Sequence, residues 1–482
     1  MTEPRYIIVH GHFYQPPRES PWTGLIAPEH GAAPFPNWNE RILSECYNAN
    51  AHAHTMEGRV VRIRNNYESL NFNFGPTLAS WLERHGKAAY RALRRADEAS
   101  SARHHGHGGA MAQAYNHSIL PLLNDRDKAL QIAWGSEDFA YRFGRRPEGM
   151  WLPECGVDEA TLGALARAAI AYTILAPEQG RFDGAGEREA GPFAWREGAA
   201  NVAIFRFDRE LSRDISFGDA LLDGAGLADR IAHAAWQIPP GAALMIATDG
   251  ETFGHHKKTG AAELARALDL LERRDGLSVT NCAAYLADHG TRGRFAIDGA
   301  SAWSCAHGVE RWRTECGCRL EGHTRQLWRA PFRAAMELAK NHADLVYDRF
   351  APELTADPAM ALMESIRPML DANPAVREEF FARYPVAGEE RRDRFLRLCE
   401  MQRAAHAALT SCAWFFDDFG GPEGRVALRW AARALELAAE FLPSAETELL
   451  ARLREIHSNR REVGDAATLY LSLKTREARG RV

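Results

Sequence analysis

The chain has 482 residues, with 59 basic and 64 acidic side chains and a formal net charge of −5. At about 150 residues per domain, this length predicts two or three domains, or one large barrel with an addition. The apolar fraction of 46% and the charged fraction of 26% exclude extensive disorder and a coiled-coil rod. The nearly balanced charge argues against a nucleic-acid-binding protein.

The N-terminal segment and the cysteines bear on the compartment. The first ten residues, MTEPRYIIVH, carry a glutamate where a signal peptide has basic residues, and their apolar run is short. No apolar run approaches the roughly 20 residues that a membrane helix needs. The eight cysteines are too sparse for a disulfide scaffold. We therefore expect a cytoplasmic protein with reduced thiols and no membrane partner.

Short apolar runs alternate with helical patterns through the first 300 residues. The runs have four to six residues and end in Gly, Pro or polar clusters, which is typical of buried parallel strands. They lie at 6–9, 69–74, 149–152, 171–175, 202–207, 243–247 and 294–297. Amphipathic patterns at 158–169 and 261–274 predict helices between them. The alternation favours a parallel α/β architecture, with a barrel as the leading option.

The last 150 residues have a different pattern. Apolar residues recur there at the 3.6-residue spacing of amphipathic helices, at 332–347, 359–370, 389–409, 425–441 and 445–457. This part therefore predicts a helical bundle. The small, polar stretch 96–109 in the first part predicts a surface loop.

Four apolar runs lead directly into polar clusters. The run 6–9 is followed by HGHFYQPP, 149–152 by PEC, 202–207 by DRE and 243–247 by TDGETFGHH. Because the C-terminal ends of parallel strands converge on the active site of α/β proteins, these clusters predict such a site.

Three carboxylates in these clusters are candidates for acid–base chemistry. Glu154 follows a buried strand, where a carboxylate is costly unless it is paired, for instance with an arginine, or used in chemistry. Asp249 and Glu251 are two residues apart and, in an extended chain, point to one side, where each raises the other's proton affinity. Asp-Gly is also a common turn pair. Glu154 and Asp249 together offer the two carboxylates that glycoside hydrolysis needs.

At these positions the sequence resembles glycoside hydrolase family 57. Residues 10–16, HGHFYQP, are similar to its first motif, with two extra residues before the glutamine. Residues 109–121 resemble the second motif without the glutamate often found there, 151–155 (WLPEC) the nucleophile motif, and 248–255 (TDGETFGH) the acid/base motif. The resemblance implies a distorted (β/α)7 barrel followed by an α-helical bundle, and retaining action on α-linked glucans.

The resemblance also implies roles for single residues. Glu154 would be the nucleophile and Asp249 the acid/base, with carboxyl groups about 5–5.5 Å apart. The expected partner is an α-glucan or maltooligosaccharide, and no cofactor or metal is expected. Its binding residues would be His10, His12, Gln15, Trp151, Glu251, His255, Trp303, His307 and Trp312. For Trp303 and Trp312, packing in a core is an equally good interpretation.

A further part of the sequence resembles one subgroup of the family. Residues 303–312 (WSCAHGVERW), 316–318 (CGC) and 410–418 (TSCAWFFDD) are similar to proteins that carry a C-terminal domain of unknown function 3536. This implies a catalytic barrel at 1–325 and a helical domain at 326–482 that completes the active-site cleft. Zinc accepts the residue types of Cys305, His307, Cys316 and Cys318, but the one-residue spacings are shorter than usual and favour thiols without metal.

Two other functions stay open. A metal-dependent carbohydrate hydrolase or deacetylase would use His10, His12 and Asp249 as ligands and leave Glu154 without a role. A non-catalytic glucan-binding protein would keep the barrel without turnover. The sequence does not distinguish α-amylase, 4-α-glucanotransferase and branching activity, and it leaves the oligomeric state unknown.

Overall fold

Residues 3–57, 60–183 and 191–479 are described in the computed structural model. They divide into two units, each made of three stretches of chain. The first unit contains residues 1–15, 28–113 and 139–303, and the second contains 16–27, 114–138 and 304–482. Among the described residues, no helix is both long and apolar enough to cross a membrane.

The strands all belong to the first unit. In chain order they are β1 (Arg5–Phe13), β2 (Ala53–Glu57), β3 (Val60–Arg64), β4 (Asn71–Phe74), β5 (Ala112–Gln113), β6 (Met150–Trp151), β7 (Tyr172–Leu175), β8 (Arg181–Asp183), β9 (Pro192–Glu197), β10 (Ala200–Arg206), β11 (Ala243–Asp249), β12 (Leu277–Val279) and β13 (Gly293–Ala296).

Helices occur throughout the described chain. Those up to residue 289 are α1 (Trp38–Ile42), α2 (Asn48–Ala51), α3 (Pro76–His85), α4 (Lys87–Arg103), α5 (Asp125–Phe143), α6 (Glu159–Arg167), α7 (Arg209–Phe217), α8 (Gly224–Trp236), α9 (Gly260–Glu272) and α10 (Cys282–His289). Those that follow are α11 (Arg329–Phe350), α12 (Pro358–Glu364), α13 (Ile366–Leu370), α14 (Pro374–Arg383), α15 (Glu389–Ala407), α16 (Cys412–Phe415), α17 (Pro422–Ala438), α18 (Ala445–Leu453) and α19 (Ala466–Arg479).

Seven parallel strands form a closed, irregular barrel in the first unit. β1 pairs with β11 on one side and β4 on the other, β5 pairs with β6, and β7 pairs with β10. Single parallel bridges connect β4 to Ala110 and Gly149 to β7, which joins these pairs in series. The backbone N–H of Asp208, just after β10, donates to Met245 of β11 and closes the ring. The strand order is therefore β11-β1-β4-β5-β6-β7-β10, the predicted (β/α)7 arrangement.

Side-chain caps start several helices directly after these strands. Asp158 and Asp208 accept from the N–H groups of Thr161 and Leu211, both at 2.8 Å, and begin α6 and α7. Each cap satisfies a donor that the first helical turn leaves free, which contributes about 1 kcal/mol. The helices therefore begin soon after the strands, close to the polar clusters that follow the strand ends.

The helical prediction for the second unit is confirmed, with α11, α15 and α17 packed around a buried apolar core. The compact units do not follow the predicted linear division at residue 325, because residues 114–138 pack within the second unit. Trp134 is fully buried there, donates to the carbonyl of Leu362 at 2.9 Å and meets the ring of His406 edge-on.

Two local predictions were wrong. The predicted loop 96–109 is helical up to Arg103, because the small side chains of Ala96 and Ser100 are buried on the inner face of α4. The single helix predicted at 359–370 is two short helices, α12 and α13, separated at Ser365.

Candidate active site

The ends of β1 and β11 place a histidine beside a carboxylate. In the parallel register of these strands, His12 lies opposite Asp249 and His10 opposite Ala247. β4 pairs on the other side of β1, with Asn71 opposite His10 and Asn73 opposite His12. Three neighbouring strands therefore present polar side chains at matching levels.

Burial keeps the two histidines neutral, and two asparagines contact their rings. The Asn71 amide donates to Nδ1 of His10 at 2.9 Å, and Asn73 lies 3.0 Å from Nδ1 of His12. Burial lowers the pKa of His12 to about 3, against the opposing hydrogen bond from Asn73. Burial and the neighbouring His12 lower the pKa of His10 well below its ordinary value. Nε2 of His10 has no hydrogen-bond partner among the described residues, as is typical of a polar binding site.

The Trp151 indole supports both imidazoles from one side. The rings of His10 and His12 stack on it with centroid distances of 4.8 and 4.7 Å. Trp303 meets its edge at 5.1 Å. Because Trp151 is fully buried, it has no free face for a sugar ring, and its position supports a role in fixing the histidines.

Glu154 lies on a strained turn after β6. Its φ is +56° and that of Cys155 is +50°, a left-handed backbone that costs side-chain-bearing residues of order 1 kcal/mol or more each. Trp303 makes two hydrogen bonds to this turn. Its backbone N–H donates to the carbonyl of Glu154 at 3.0 Å, and its Nε1–H donates to Oε2 of Glu154 at 3.1 Å. Strain of this kind is concentrated at functional sites, so the geometry supports a chemical role for Glu154.

The Asp249 carboxyl is coupled to Glu154. Solvent reaches the Asp249 side chain, but protein surrounds it closely enough to remove much of its hydration. Desolvation first, and then the charge of Glu154, raise the pKa of Asp249 to about 7. At neutral pH the group therefore exists in both protonation states, as an acid/base catalyst requires.

Glu251 lies behind Asp249 and is buried. Its Oε1 accepts from the Tyr47 hydroxyl at 2.8 Å and from the N–H of Tyr14 at 3.1 Å. Burial raises the pKa of Glu251 to about 8; the Tyr47 hydrogen bond opposes this rise and the charge of Asp249 adds to it. Glu251 is thus mainly neutral at pH 7.

His255 is anchored by a carboxylate. Its Nδ1 lies 2.5 Å from Oε2 of Glu45, and Oε1 of the same carboxylate lies 2.7 Å from Nζ of Lys258. Gly254 precedes it with φ +136°, and a Cβ there would lie 2.2 Å from the carbonyl oxygen of Glu45. This position therefore requires glycine, and it fixes the chain that carries His255.

The remaining predicted residues lie in different surroundings. Gln15 is buried two residues beyond the end of β1, and Trp303 is half-buried. His307 and Trp312 belong to the second unit. Trp312 is fully buried there, so the predicted contact with a sugar finds no support in its burial, whereas His307 is exposed.

The sequence alone does not single out the residues that hold this site together. They are Asn71, Asn73, Gln113, Tyr47 and Glu45. A signal existed for the asparagines: in the apolar run 69–74 the polar residues alternate (NFNF), which places both on one face of the strand. Asn73 also donates to Oε1 of Gln113 at 2.8 Å and extends the network to β5.

Comparisons with known proteins agree with this architecture. Over 153 residues the chain is 26% identical to Alpha-amylase 1 of Dictyoglomus thermophilum, covering 31% of this chain and 21% of that protein, so the match spans about a fifth of the relative's length. An exo-type maltose-forming amylase from Pyrococcus sp. ST04 has a similar structure, with a TM-score of 0.69 and 14% identity over 94% of this chain and 83% of the other.

Two further solved structures are similar. The branching enzyme of Pyrococcus horikoshii gives a TM-score of 0.57 at 15% identity, covering 98% of this chain and 94% of that one. The 4-alpha-glucanotransferase of Thermococcus litoralis gives 0.57 at 15%, covering 91% and 60%. At these identities the likeness shows a shared fold alone.

Residues 325–478 match the model of a domain of unknown function, DUF3536, and residues 37–298 match that of glycosyl hydrolase family 57. The chain therefore belongs to glycosyl hydrolase family 57.

Proposed function

We propose that this protein is a retaining glycoside hydrolase or transglycosidase that acts on α-linked glucans. One observation carries the proposal: the ends of two barrel strands hold Glu154 and Asp249 close enough for the charge of Glu154 to raise the proton affinity of Asp249. A retaining enzyme needs this pair, an ionised nucleophile beside an acid that keeps its proton near neutral pH.

The reaction has two displacements. In the first, the Glu154 carboxylate attacks the anomeric carbon, the bond to the leaving oxygen breaks, and Asp249 gives that oxygen its proton. The resulting ester has no charge on Glu154, so the pKa of Asp249 falls. In the second, ionised Asp249 takes a proton from water or a sugar hydroxyl, whose oxygen attacks the anomeric carbon and releases Glu154.

The surrounding groups suit a neutral sugar. The Trp303 indole N–H donates to one carboxylate oxygen of Glu154 and thereby orients the carboxylate. His10 and His12 are uncharged and supply hydrogen-bonding nitrogens for hydroxyl groups. The relatives named above, two amylases, a branching enzyme and a glucanotransferase, support α-glucans as the substrate class.

Product analysis tests the proposal. The enzyme is incubated with amylose, maltooligosaccharides and glycogen, and the products are separated by chromatography. Shorter chains alone indicate hydrolysis, longer and shorter chains together indicate transfer, and new debranching-sensitive linkages indicate branching. We expect Glu154→Gln and Asp249→Asn to lower kcat by about 10³-fold or more.

The matched control is Glu178→Gln. This carboxylate is exposed and paired with Arg209, so its removal should leave kcat unchanged. Absence of turnover on all three glucans, or normal turnover in both active-site variants, would contradict the proposal. Release of acetate from an acetylated sugar, abolished by EDTA and restored by zinc, would instead support the deacetylase alternative.

A further inference from the structure

A second cluster of reactive side chains lies in the second unit. Ligand atoms of Cys305, His307, Cys316 and Cys318 all lie within 4.8 Å of one another. Sγ of Cys305 is 3.9 Å from Sγ of both Cys316 and Cys318, and Sγ of Cys318 is 3.6 Å from Nδ1 of His307. No disulfide links these thiols.

The spacing matches the edges of a tetrahedral zinc site. With Zn–S near 2.3 Å and Zn–N near 2.0–2.1 Å, a tetrahedron has edges of about 3.8 Å between two sulfurs and about 3.6 Å between sulfur and nitrogen. Three of the six edges are 3.9, 3.9 and 3.6 Å, and all six lie within 4.8 Å. Three thiols and one imidazole form one of the ligand sets that structural zinc sites use.

Backbone N–H groups donate to two of the sulfurs. The amides of His307 and Arg311 donate to the Cys305 sulfur, and the amide of Ala306 donates to the Cys318 sulfur. Gly317 separates two of the ligands with φ +85°, which lets the short Cys-x-Cys turn direct both sulfurs to the same side. Hydrogen bonds from groups that do not touch the metal orient and stabilise metal ligands.

Two buried cations complement the negative charge that a metal site would carry. Three thiolates and Zn²⁺ have a net charge of −1. Arg329 is fully buried beside them, donates to the carbonyl of Cys318 at 2.8 Å and lies in the field of Cys316 and Cys318. Arg311 is also buried and donates to carbonyl oxygens. Among the described residues, neither guanidinium has a carboxylate within ion-pair distance; Asp417 supplies part of the compensating negative charge for Arg329, and the thiolates would supply more.

The segment that carries the ligands has little regular structure of its own. Between residues 304 and 328 the only helical turn described is Glu310–Trp312. A segment of this length without secondary structure is uncommon in a compact domain unless something else holds it.

We propose that Cys305, His307, Cys316 and Cys318 bind a structural Zn²⁺ ion that fixes residues 304–328 in the second unit. All four protein ligands are present, so the coordination sphere is closed and the ion has no open position for chemistry. Binding stabilises the folded state, because the unfolded chain does not hold these ligands together.

Metal analysis of the full-length protein, purified under reducing conditions without a metal-affinity tag, tests the site. We expect about one Zn²⁺ per chain in the wild type and less than about a tenth of that in Cys305→Ser and Cys316→Ser. Cys412→Ser removes a buried thiol of the same unit outside the cluster and should keep the metal. His307→Ala should lose zinc and His307→Cys should regain it, because four thiolates also form a zinc site.

Spectroscopy and stability add independent readouts. Replacing Zn²⁺ with Co²⁺ should give the thiolate-to-metal charge-transfer bands and intense visible bands of a tetrahedral site, and chelation should lower Tm. Wild-type protein with less than about a tenth of an equivalent of zinc would overturn the proposal. So would iron with acid-labile sulfide, or a disulfide between two of these cysteines in metal-free protein under reducing conditions.

Discussion

The carboxylates of the first unit and the thiols of the second are both clusters of ionisable side chains on irregular backbone, yet their surroundings are opposite. The charge of Glu154 disfavours ionisation of Asp249, and the backbone at Glu154 is strained. The thiols and His307 have the spacing of a metal tetrahedron, and buried arginines complement their charge. Like charges held close together shift pKa values, which is typical of catalytic sites, whereas side chains with complementary charges are typical of structural sites.

Apart from the two carboxylates themselves, Trp303 is the residue whose replacement is expected to change kcat most. Trp303→Phe keeps an aromatic ring but removes the indole N–H that donates to the Glu154 carboxylate. Because a hydrogen bond to a charged group contributes about 1.5–3 kcal/mol, we expect kcat to fall about 10- to 100-fold, with a smaller change in KM. Steady-state kinetics on a maltooligosaccharide measure both.

Trp195→Phe is the matched control. The Trp195 indole is buried in β9 and donates to Oε2 of Glu159 at 2.7 Å, so the substitution removes the same type of bond at a carboxylate outside the site. It should lower Tm and leave kcat unchanged. Equal losses of kcat in both variants would mean that Trp303 acts only through general stability.

A smaller effect is expected in the stability of the first unit. Burial raises the pKa of Glu251 to about 8 from an ordinary value of 4.5, so the folded state binds more protons than the unfolded state between these pH values. The free energy of unfolding therefore falls as pH rises from 4.5 to 8, by a few kcal/mol at most. Glu251→Gln keeps an oxygen to accept from Tyr47 and removes this ionisation.

Thermal unfolding from pH 5 to pH 8 measures this effect. Tm of the wild type should fall over this range, and Tm of Glu251→Gln should fall less. Glu178→Gln, which removes an exposed carboxylate, should follow the wild type. Parallel curves for wild type and Glu251→Gln would show that Glu251 ionises in the folded protein at its ordinary pKa.

Much of the barrel could be predicted from the sequence. All seven apolar runs contain strands, because strands buried on both faces are continuously apolar. β5 has only two residues, and such short pairing gives a weak pattern, so none of the predicted runs contains it. Residues 114–138 lie on the barrel side of the predicted division but cluster with the second unit, since periodicity shows that a helix has an apolar face but not which core receives it.

The candidate site could be predicted only in part. The motifs identified Glu154, Asp249 and the histidines because they lie directly after apolar runs. Asn73 and Tyr47 act through contacts between residues distant in the chain, which local patterns do not contain. The sequence offers Cys305, His307, Cys316 and Cys318 as candidate ligands whose one-residue spacings disfavour a metal, and only the fold shows that their ligand atoms lie within 4.8 Å of one another.

The central claim is that the Glu154 and Asp249 carboxyl groups are coupled. The most direct test is a ¹³C NMR titration of the Asp249 carboxyl, assigned by its disappearance in Asp249→Asn, in wild type and in Glu154→Gln. We predict a midpoint near pH 7 in the wild type and a clearly lower one in Glu154→Gln, where desolvation alone raises the pKa. An ordinary midpoint near pH 4 in the wild type, or the same midpoint in both proteins, would contradict it.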